Sequence, residues 1–325
     1  MIDRLSVYES DGFDPHRNLA IEQHLLETVE GGCCLLYLWQ NERTVVIGKN
    51  QNAWAECRTA LLSEDGGTLA RRLSGGGAVY HDLGNLNFTF LMHEEDYDLP
   101  RQLSVIRNAC GLCGIETEIS GRNDLLASGR KFSGNAFYHH EGRAYHHGTL
   151  LVDVDAEAMK RYLSPSKAKL EAKGVESVRS RVVNLKELNP ALTVGMLKAA
   201  MKQAFSEVYG LPPALPPVVD EERVRELTVH YASDEWLFGR KLPFTFRCER
   251  RFPWGGVELQ MKVDRGVITD AKVYTDAMDD RLASKLESAL IGSRLQKESV
   301  KTALQKPCIG QEQQEDLLDL ITDVL

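Results

Sequence analysis

The sequence predicts an α/β protein, with mixed α+β sheets flanked by helices over residues 1–245 and a small α+β unit over residues 246–325. Three observations carry this. Strand-like and helix-like segments alternate through roughly the first 210 residues. The stretch Leu211-Pro212-Pro213-Ala214-Leu215-Pro216-Pro217 then breaks the pattern, because its prolines can neither continue a helix nor sit in a central strand. Beyond it, a hairpin pattern followed by two amphipathic helices reads as a separate, small, β-then-α unit.

The elements follow in order. Leu19 to Val29 has helical apolar spacing, with Leu19, Ile21, Leu25, Leu26 and Val29 on one side. Leu35 to Trp39 and Thr44 to Ile47 are short apolar runs rich in β-formers. Ala78 to Tyr80 and Asn87 to Leu91 read as a strand pair, and Leu103 to Cys113 as a helix. A short strand is expected between the turn signals Asn123-Asp124 and Ser128-Gly129, and another over His147 to Val154. Val194 to Tyr209 reads as a helix ended by Gly210, and a short helix is expected near Glu221 to Tyr231. In the second unit, beginning near Phe246, Val257 to Val263 and Val267 to Tyr274 flank the turn Asp264-Arg265-Gly266. Helices are expected over Arg281 to Gly292 and Gln296 to Leu304.

Composition narrows the function classes. The chain has 325 residues, 43% hydrophobic and 26% charged, as in a globular protein. Net charge is −8, which argues against nucleic acid as a partner. No apolar run approaches the roughly 20 residues of a membrane span, and the N-terminus lacks the pattern of a signal peptide. A cytoplasmic protein without a membrane partner, and a monomer, is the expectation. Seven cysteines without an export signal read as reduced thiols. Cys110 and Cys113 form a lone CxxC with no second ligand pair, so two small apolar helix residues are the simpler reading.

Four segments carry chemistry. In Arg71-Arg72-Leu73-Ser74-Gly75-Gly76-Gly77-Ala78-Val79-Tyr80-His81, three successive glycines let backbone approach something closely, and their N–H groups could form an anion-binding concavity. The two arginines upstream supply charge suited to phosphate or carboxylate. This is neither a P-loop nor a Rossmann turn. The second segment is Gly121 to Ala136, where Lys131 follows a turn and precedes the small residues Ser133-Gly134-Asn135. The third is Tyr145-His146-His147-Gly148-Thr149-Leu150-Leu151, whose adjacent histidines point to opposite faces of a strand and so do not share a metal easily. The fourth, Lys160 to Arg181, carries seven basic and two acidic residues, a local +5 that suits polyphosphate or an acidic protein partner.

In this order, these segments resemble the lipoate–protein ligase A family of the biotin/lipoate-ligase superfamily. Arg71 to Asn85, Gly121 to Ala136, His146 to Leu151 and Lys173 to Leu185 match its patterns, as do Asn18 to Glu22, Thr44 to Asn52 and, in the second unit, Arg251 to Glu258. Leu73 departs from the small polar residue often found there, and Ala127-Ser128-Gly129-Arg130 is short.

The resemblance implies a catalytic lipoate- and ATP-binding domain over 1–245 and an accessory domain over 246–325. It implies two steps. Lipoate attacks the α-phosphate of ATP, with magnesium, giving lipoyl-AMP and pyrophosphate. The lysine of an acceptor, a lipoyl domain of a 2-oxoacid dehydrogenase or the glycine-cleavage H protein, then takes the lipoyl group. Lys131 would be the catalytic residue, touching both acyl and phosphate oxygens. Arg72, Gly77, Ala78, Val79, Tyr80, Lys131, Lys173 and Gly174 would bind the nucleotide. Ser74, Gly75, Gly76, Lys131, His147 and Gly148 would bind lipoate, and Asp124 is a candidate magnesium ligand. Lys169 to Val175 would close over the adenylate. The alternative within the superfamily is a lipoyl- or octanoyl-transferase that uses a preformed activated acyl group without ATP.

Overall fold

Seven strands build the main sheet of the protein, seen here in a computed structural model that describes residues 1–120, 124–164, 182–307, 309–323 and 325. In spatial order they are β1 (Arg4–Glu9), β2 (Cys33–Trp39), β6 (Asn85–His93), β10 (Arg143–Leu151), β9 (Arg130–His140), β8 (Asp124–Ala127) and β7 (Glu118–Ser120). β1 and β2 run parallel; the other neighbours are antiparallel.

β2 shows why its sequence is apolar throughout. Cys34, Leu36 and Leu38 enter one core, while Cys33, Leu35, Tyr37 and Trp39 enter the other. Helices cover both faces, so the period-2 alternation sorts side chains between two cores rather than between core and water. The first core is roofed by α4 (Leu99–Leu112) and α7 (Val194–Tyr209). The second is roofed by α1 (Pro15–Thr28) and α8 (Glu221–Ala232). α1 starts where Asp14 caps it and a proline opens its first turn. α7 ends at Gly210, whose φ of 68° is left-handed, as its sequence signals.

A second sheet of three strands, in the order β4 (Thr68–Arg71), β3 (Thr44–Ile47), β5 (Val79–His81), lies beside the first. This corrects the expected strand pair. Val79–His81 pairs with β3, whereas Asn85–His93 pairs with β2 and β10. Asp82-Leu83-Gly84 redirects the chain between sheets, and Gly84 must be glycine, since a Cβ there would stand 2.0 Å from the Asp153 carbonyl oxygen. Short helices α2 (Ala53–Glu56), α3 (Thr59–Glu64), α5 (Ala156–Tyr162), α6 (Leu185–Leu188) and α9 (Asp234–Phe238) connect the rest.

The proline connector runs along the sheet edge. Ala214 N–H donates to the Leu5 carbonyl at 2.7 Å and Ser6 Oγ to that of Leu215 at 3.1 Å. The small domain holds β11 (Phe246–Phe252), β12 (Gly255–Asp264) and β13 (Val267–Thr275) under α10 (Leu282–Leu290), α11 (Lys297–Leu304) and α12 (Gln311–Thr322), with its own apolar core. The hairpin turn is where the sequence puts it, with positive φ at Arg265 and Gly266. Helix α12 was not anticipated; Leu317, Leu320 and Ile321 close the core from it.

Candidate active site

One row of residues crosses the main sheet and forms the floor of a cavity of about 370 Å³. Trp39 on β2 is paired with Asn87 on β6, and Asn87 with Thr149 on β10. Gly134 on β9 donates its N–H to the Thr149 hydroxyl at 3.4 Å, and Gly134 is paired with Asp124 on β8. At about 4.8 Å per strand step, the floor spans about 19 Å. β9 and β10 approach closely here, because a Cβ on Gly148 would stand 2.6 Å from the Gly134 carbonyl oxygen.

The loop between β4 and β5 forms one wall. It is wrapped around the guanidinium of Arg72. Nε donates to Ser74 Oγ at 3.0 Å, Nη1 to the Val46 carbonyl at 3.3 Å, and Nη2 to the carbonyls of Gly75 and Gly77 at 2.7 and 2.8 Å. Burial pulls this guanidinium down to about 10. Arg71 does similar work one residue earlier, donating to the carbonyls of Gly48, Lys49, Gln51 and Leu237. Both guanidiniums are thus wrapped by backbone carbonyls, and that of Arg72 also lines the cavity. The bulk of a Cβ explains another glycine: on Gly48 it would lie 2.2 Å from the Gly76 carbonyl oxygen.

A buried relay supports the same wall. Ser74 Oγ lies 2.8 Å from His147 Nε2, and His147 Nδ1 lies 2.8 Å from Glu22 Oε1. Glu22 also accepts from Thr89 Oγ1 at 2.7 Å, which accepts from Trp39 Nε1 at 3.1 Å. The order Ser-His-Glu is that of a hydrolase triad, but Ser74 is fully buried and its oxygen is already bound by Arg72. Its hydroxyl holds the loop. The adjacent histidine turns the other way: His146 contacts Gln102 of α4 at 3.0 Å and Asn135 at 2.9 Å, and burial pulls it down to about 3.

The opposite wall carries exposed charge. Lys131 Nζ pairs with Asp124 Oδ1 at 2.6 Å, each side chain 37% exposed. The Lys131 carbonyl accepts from Val183 N–H at 2.9 Å, so the chain returns beside Lys131 at residues 182–183. The small domain supplies the rest. Ala277 O accepts from Gly76 N–H at 3.0 Å, and a Cβ on Gly75 would stand 2.4 Å from that same oxygen. Lys49 Nζ pairs with Asp280 at 2.8 Å. Arg251, Asp276 and Met278 line the cavity, with Arg251 Nη1 on Asp276 Oδ2 at 2.9 Å.

Residues 14–206 match the lipoyl protein ligase A/B catalytic domain, and residues 241–321 match the bacterial lipoate protein ligase C-terminus. The chain belongs to the lipoyl protein ligase A/B family. It is therefore an enzyme of the lipoate–protein ligase type. LipL1 of P. falciparum, solved in complex with lipoate, is 28% identical over 98% of this chain and 99% of its own, with a TM-score of 0.86. A bi-partite lipoate protein ligase of Thermoplasma acidophilum is 27% identical over 75% of this chain and 99% of its own, TM-score 0.65. A lipoate-protein ligase A bound with ATP is 26% identical over 74% and 99%, TM-score 0.64.

Against this lipoate–protein ligase fold, the sequence-derived residues sort clearly. Arg72, Gly76, Gly77, Ala78, Val79, Asp124, Lys131, His147 and Gly148 all line the one cavity. Ser74 and Gly75 do not; they are buried behind it. Nor does Tyr80, whose ring packs against Tyr162 on the far side of the small sheet. Lys173 and Gly174, with the rest of Lys169 to Val175, lie outside the described residues. Ser133-Gly134-Asn135 lies inside a strand, β9. Trp39, Asn87, His81 and Arg251 line the cavity and were not named as site residues from the sequence. Trp39 and Asn87 look like ordinary strand residues aligned only by cross-strand register, and His81 reaches them from the small sheet. No helix among the described residues is long and apolar enough to cross a membrane.

Proposed function

We propose that the protein is an ATP-dependent lipoate–protein ligase that makes lipoyl-AMP with release of pyrophosphate and then passes the lipoyl group to a lysine. The observation that carries this is the cavity itself. It joins an end lined by Leu19, Trp39 and Val46, with His81 and Asn87 among them, to a charged end at Lys131 and Asp124, beside a loop of bare backbone. The relatives solved with lipoate and with ATP support the reading.

In the first step a carboxylate oxygen of lipoate attacks the α-phosphorus and the bond to pyrophosphate breaks. In the second the amine nitrogen attacks the acyl carbon and AMP leaves. Lys131 neutralises charge on the phosphate and on the acyl oxygen, which requires it to exchange Asp124 for substrate oxygens. The glycine wall, at Gly76 to Val79, lets the adenylate lie against main chain in a fixed geometry. Arg72 acts by shaping that wall.

A divalent cation such as Mg²⁺ takes one or two carboxylates and completes its shell with phosphates and water. Asp124, a half-exposed carboxylate on the cavity rim, fits that donor set. The cation would shield the triphosphate charge against the incoming carboxylate.

Acceptors would be lipoyl domains and the H protein. A T. acidophilum relative solved as a lipoylation system with its E2 lipoyl domain supports the lipoyl domain as acceptor. Most of the basic segment expected to recruit them lies outside the described residues; of its described part, Lys160 and Arg161 pair with Glu157 and Asp65.

The test is pyrophosphate release from ATP upon addition of free lipoate. The ligase reading expects release that depends on lipoate. A protein that transfers lipoyl from lipoyl-AMP yet never forms pyrophosphate would be the transferase instead.

A further inference from the structure

Two polar atoms at the cavity have no partner among the described residues: His81 Nε2 and Asn87 Nδ2. Both residues line the cavity and are more than nine-tenths buried, 3% and 1% exposed. What they offer follows from their neighbours. Asn18 Nδ2 donates to the carbonyls of Gly12 and Gln40, which sets the orientation of its amide. It also donates to Asn41 Oδ1 at 3.0 Å, so Asn41 turns its Nδ2 to His81 Nδ1, at 3.2 Å. His81 Nδ1 is therefore an acceptor. Burial keeps the ring neutral, pulling it down to about 3, so its one proton sits on Nε2. Asn87 Oδ1 accepts from Asn85 Nδ2 at 2.9 Å, and each amide keeps one atom without a partner among the described residues: Oδ1 of Asn85, which does not line the cavity, and Nδ2 of Asn87, which does.

The cavity thus holds two neutral, desolvated donors; strand register fixes the place of Asn87, and a ring contact with Trp39 that of His81. Asn87 lies three strand steps from Asp124, about 14 Å. His81 stands beside Trp39, ring centroids 6.2 Å apart, at the same end. A carboxylate held by Lys131 places the far end of a medium-length acyl chain near both.

We propose that Asn87 and His81 determine specificity, selecting an acyl chain whose far end carries hydrogen-bond-accepting atoms over a plain alkyl chain of the same length. This rests on the ligase reading above. A plain alkyl tail buries both donors unpaired. The dithiolane sulfurs of lipoate are weak acceptors, and a terminal oxygen is a stronger one.

The experiment compares kcat/KM for pyrophosphate release with lipoate, octanoate and 8-hydroxyoctanoate, in the wild type and in Asn87→Leu. The wild type is expected to favour lipoate and 8-hydroxyoctanoate over octanoate by about tenfold, the lower end of what unpaired buried donors cost. Asn87→Leu is expected to shrink that gap at least threefold, mainly by improving octanoate. Equal efficiency for octanoate and 8-hydroxyoctanoate in the wild type overturns the proposal. So does an unchanged ratio in a variant with a normal melting temperature. If Asn87→Leu does not fold, the wild-type comparison decides alone. Absence of pyrophosphate with every acid overturns the ligase reading instead, and tail preference is then read from calorimetric binding of the same acids.

Discussion

The two walls of the cavity are built on opposite principles. The glycine wall is held by buried donors with saturated partners: Arg72 reaches four acceptors, and Ser74, His147 and Glu22 lock together behind it. Among the described residues the Lys131 side chain rests on an ion pair with Asp124, over a third exposed on both sides. Low-dielectric, fully paired networks resist change, whereas exposed pairs exchange partners at small cost. The comparison teaches where shape is kept and where charge is free to move. In the proposed function Arg72, the residue that looks most like a phosphate ligand in the sequence, serves shape, and Lys131 serves chemistry.

Substitutions can break that contrast. Arg72→Ala should have the largest effect, because it leaves buried carbonyls without their donor. A loss of about 3–5 kcal/mol in urea unfolding is expected; a loss under about 1 kcal/mol would mean the wall does not depend on its guanidinium. Lys131→Ala should reverse the pattern, cutting lipoate-dependent pyrophosphate release by about 10²–10³-fold with little change in melting temperature. Near-normal turnover in that variant would remove Lys131 from the chemistry.

Protonation sharpens the contrast further. His81 and His146 stay neutral in the fold down to about pH 3, whereas in the unfolded chain each takes a proton near its ordinary value of about 6.5. The unfolded state then binds more protons, so stability present above pH 6.5 is lost as pH falls toward 3, by about 1.4 kcal/mol per unit for each histidine. Chemical denaturation at pH 7, 6 and 5 should show that slope, and His146→Gln should lower it by one proton. A flat profile would mean these rings are not held neutral. The smallest effect should come from Lys186→Ala, which removes an exposed pair with Asp153 remote from the cavity and should cost below about 0.5 kcal/mol in the same assay.

Much of this was written in local sequence. Gly210 and Arg265-Gly266 announce their turns because positive φ demands particular residues. Lys131 and the glycine loop were visible because such residue types rarely cluster without cause. What was not visible depends on partners far along the chain. Val79–His81 and Asn85–His93 look alike locally, and only pairing assigns them to different sheets. The Arg72 side chain reads as an anion ligand in the sequence, and nothing local announces the carbonyls of Val46, Gly75 and Gly77 around it. Asn87 and Arg251 enter the site by register and by the seating of the small domain, which neither residue's local sequence states.

The most direct test of this division is a crystal structure with a non-hydrolysable lipoyl-adenylate analogue. The account predicts Lys131 Nζ within about 2.7–3.2 Å of an acyl or phosphate oxygen, released from Asp124. It also predicts that Arg72 still holds the carbonyls of Gly75 and Gly77. An analogue bound away from Lys131, or one that draws Arg72 off its loop, would contradict it.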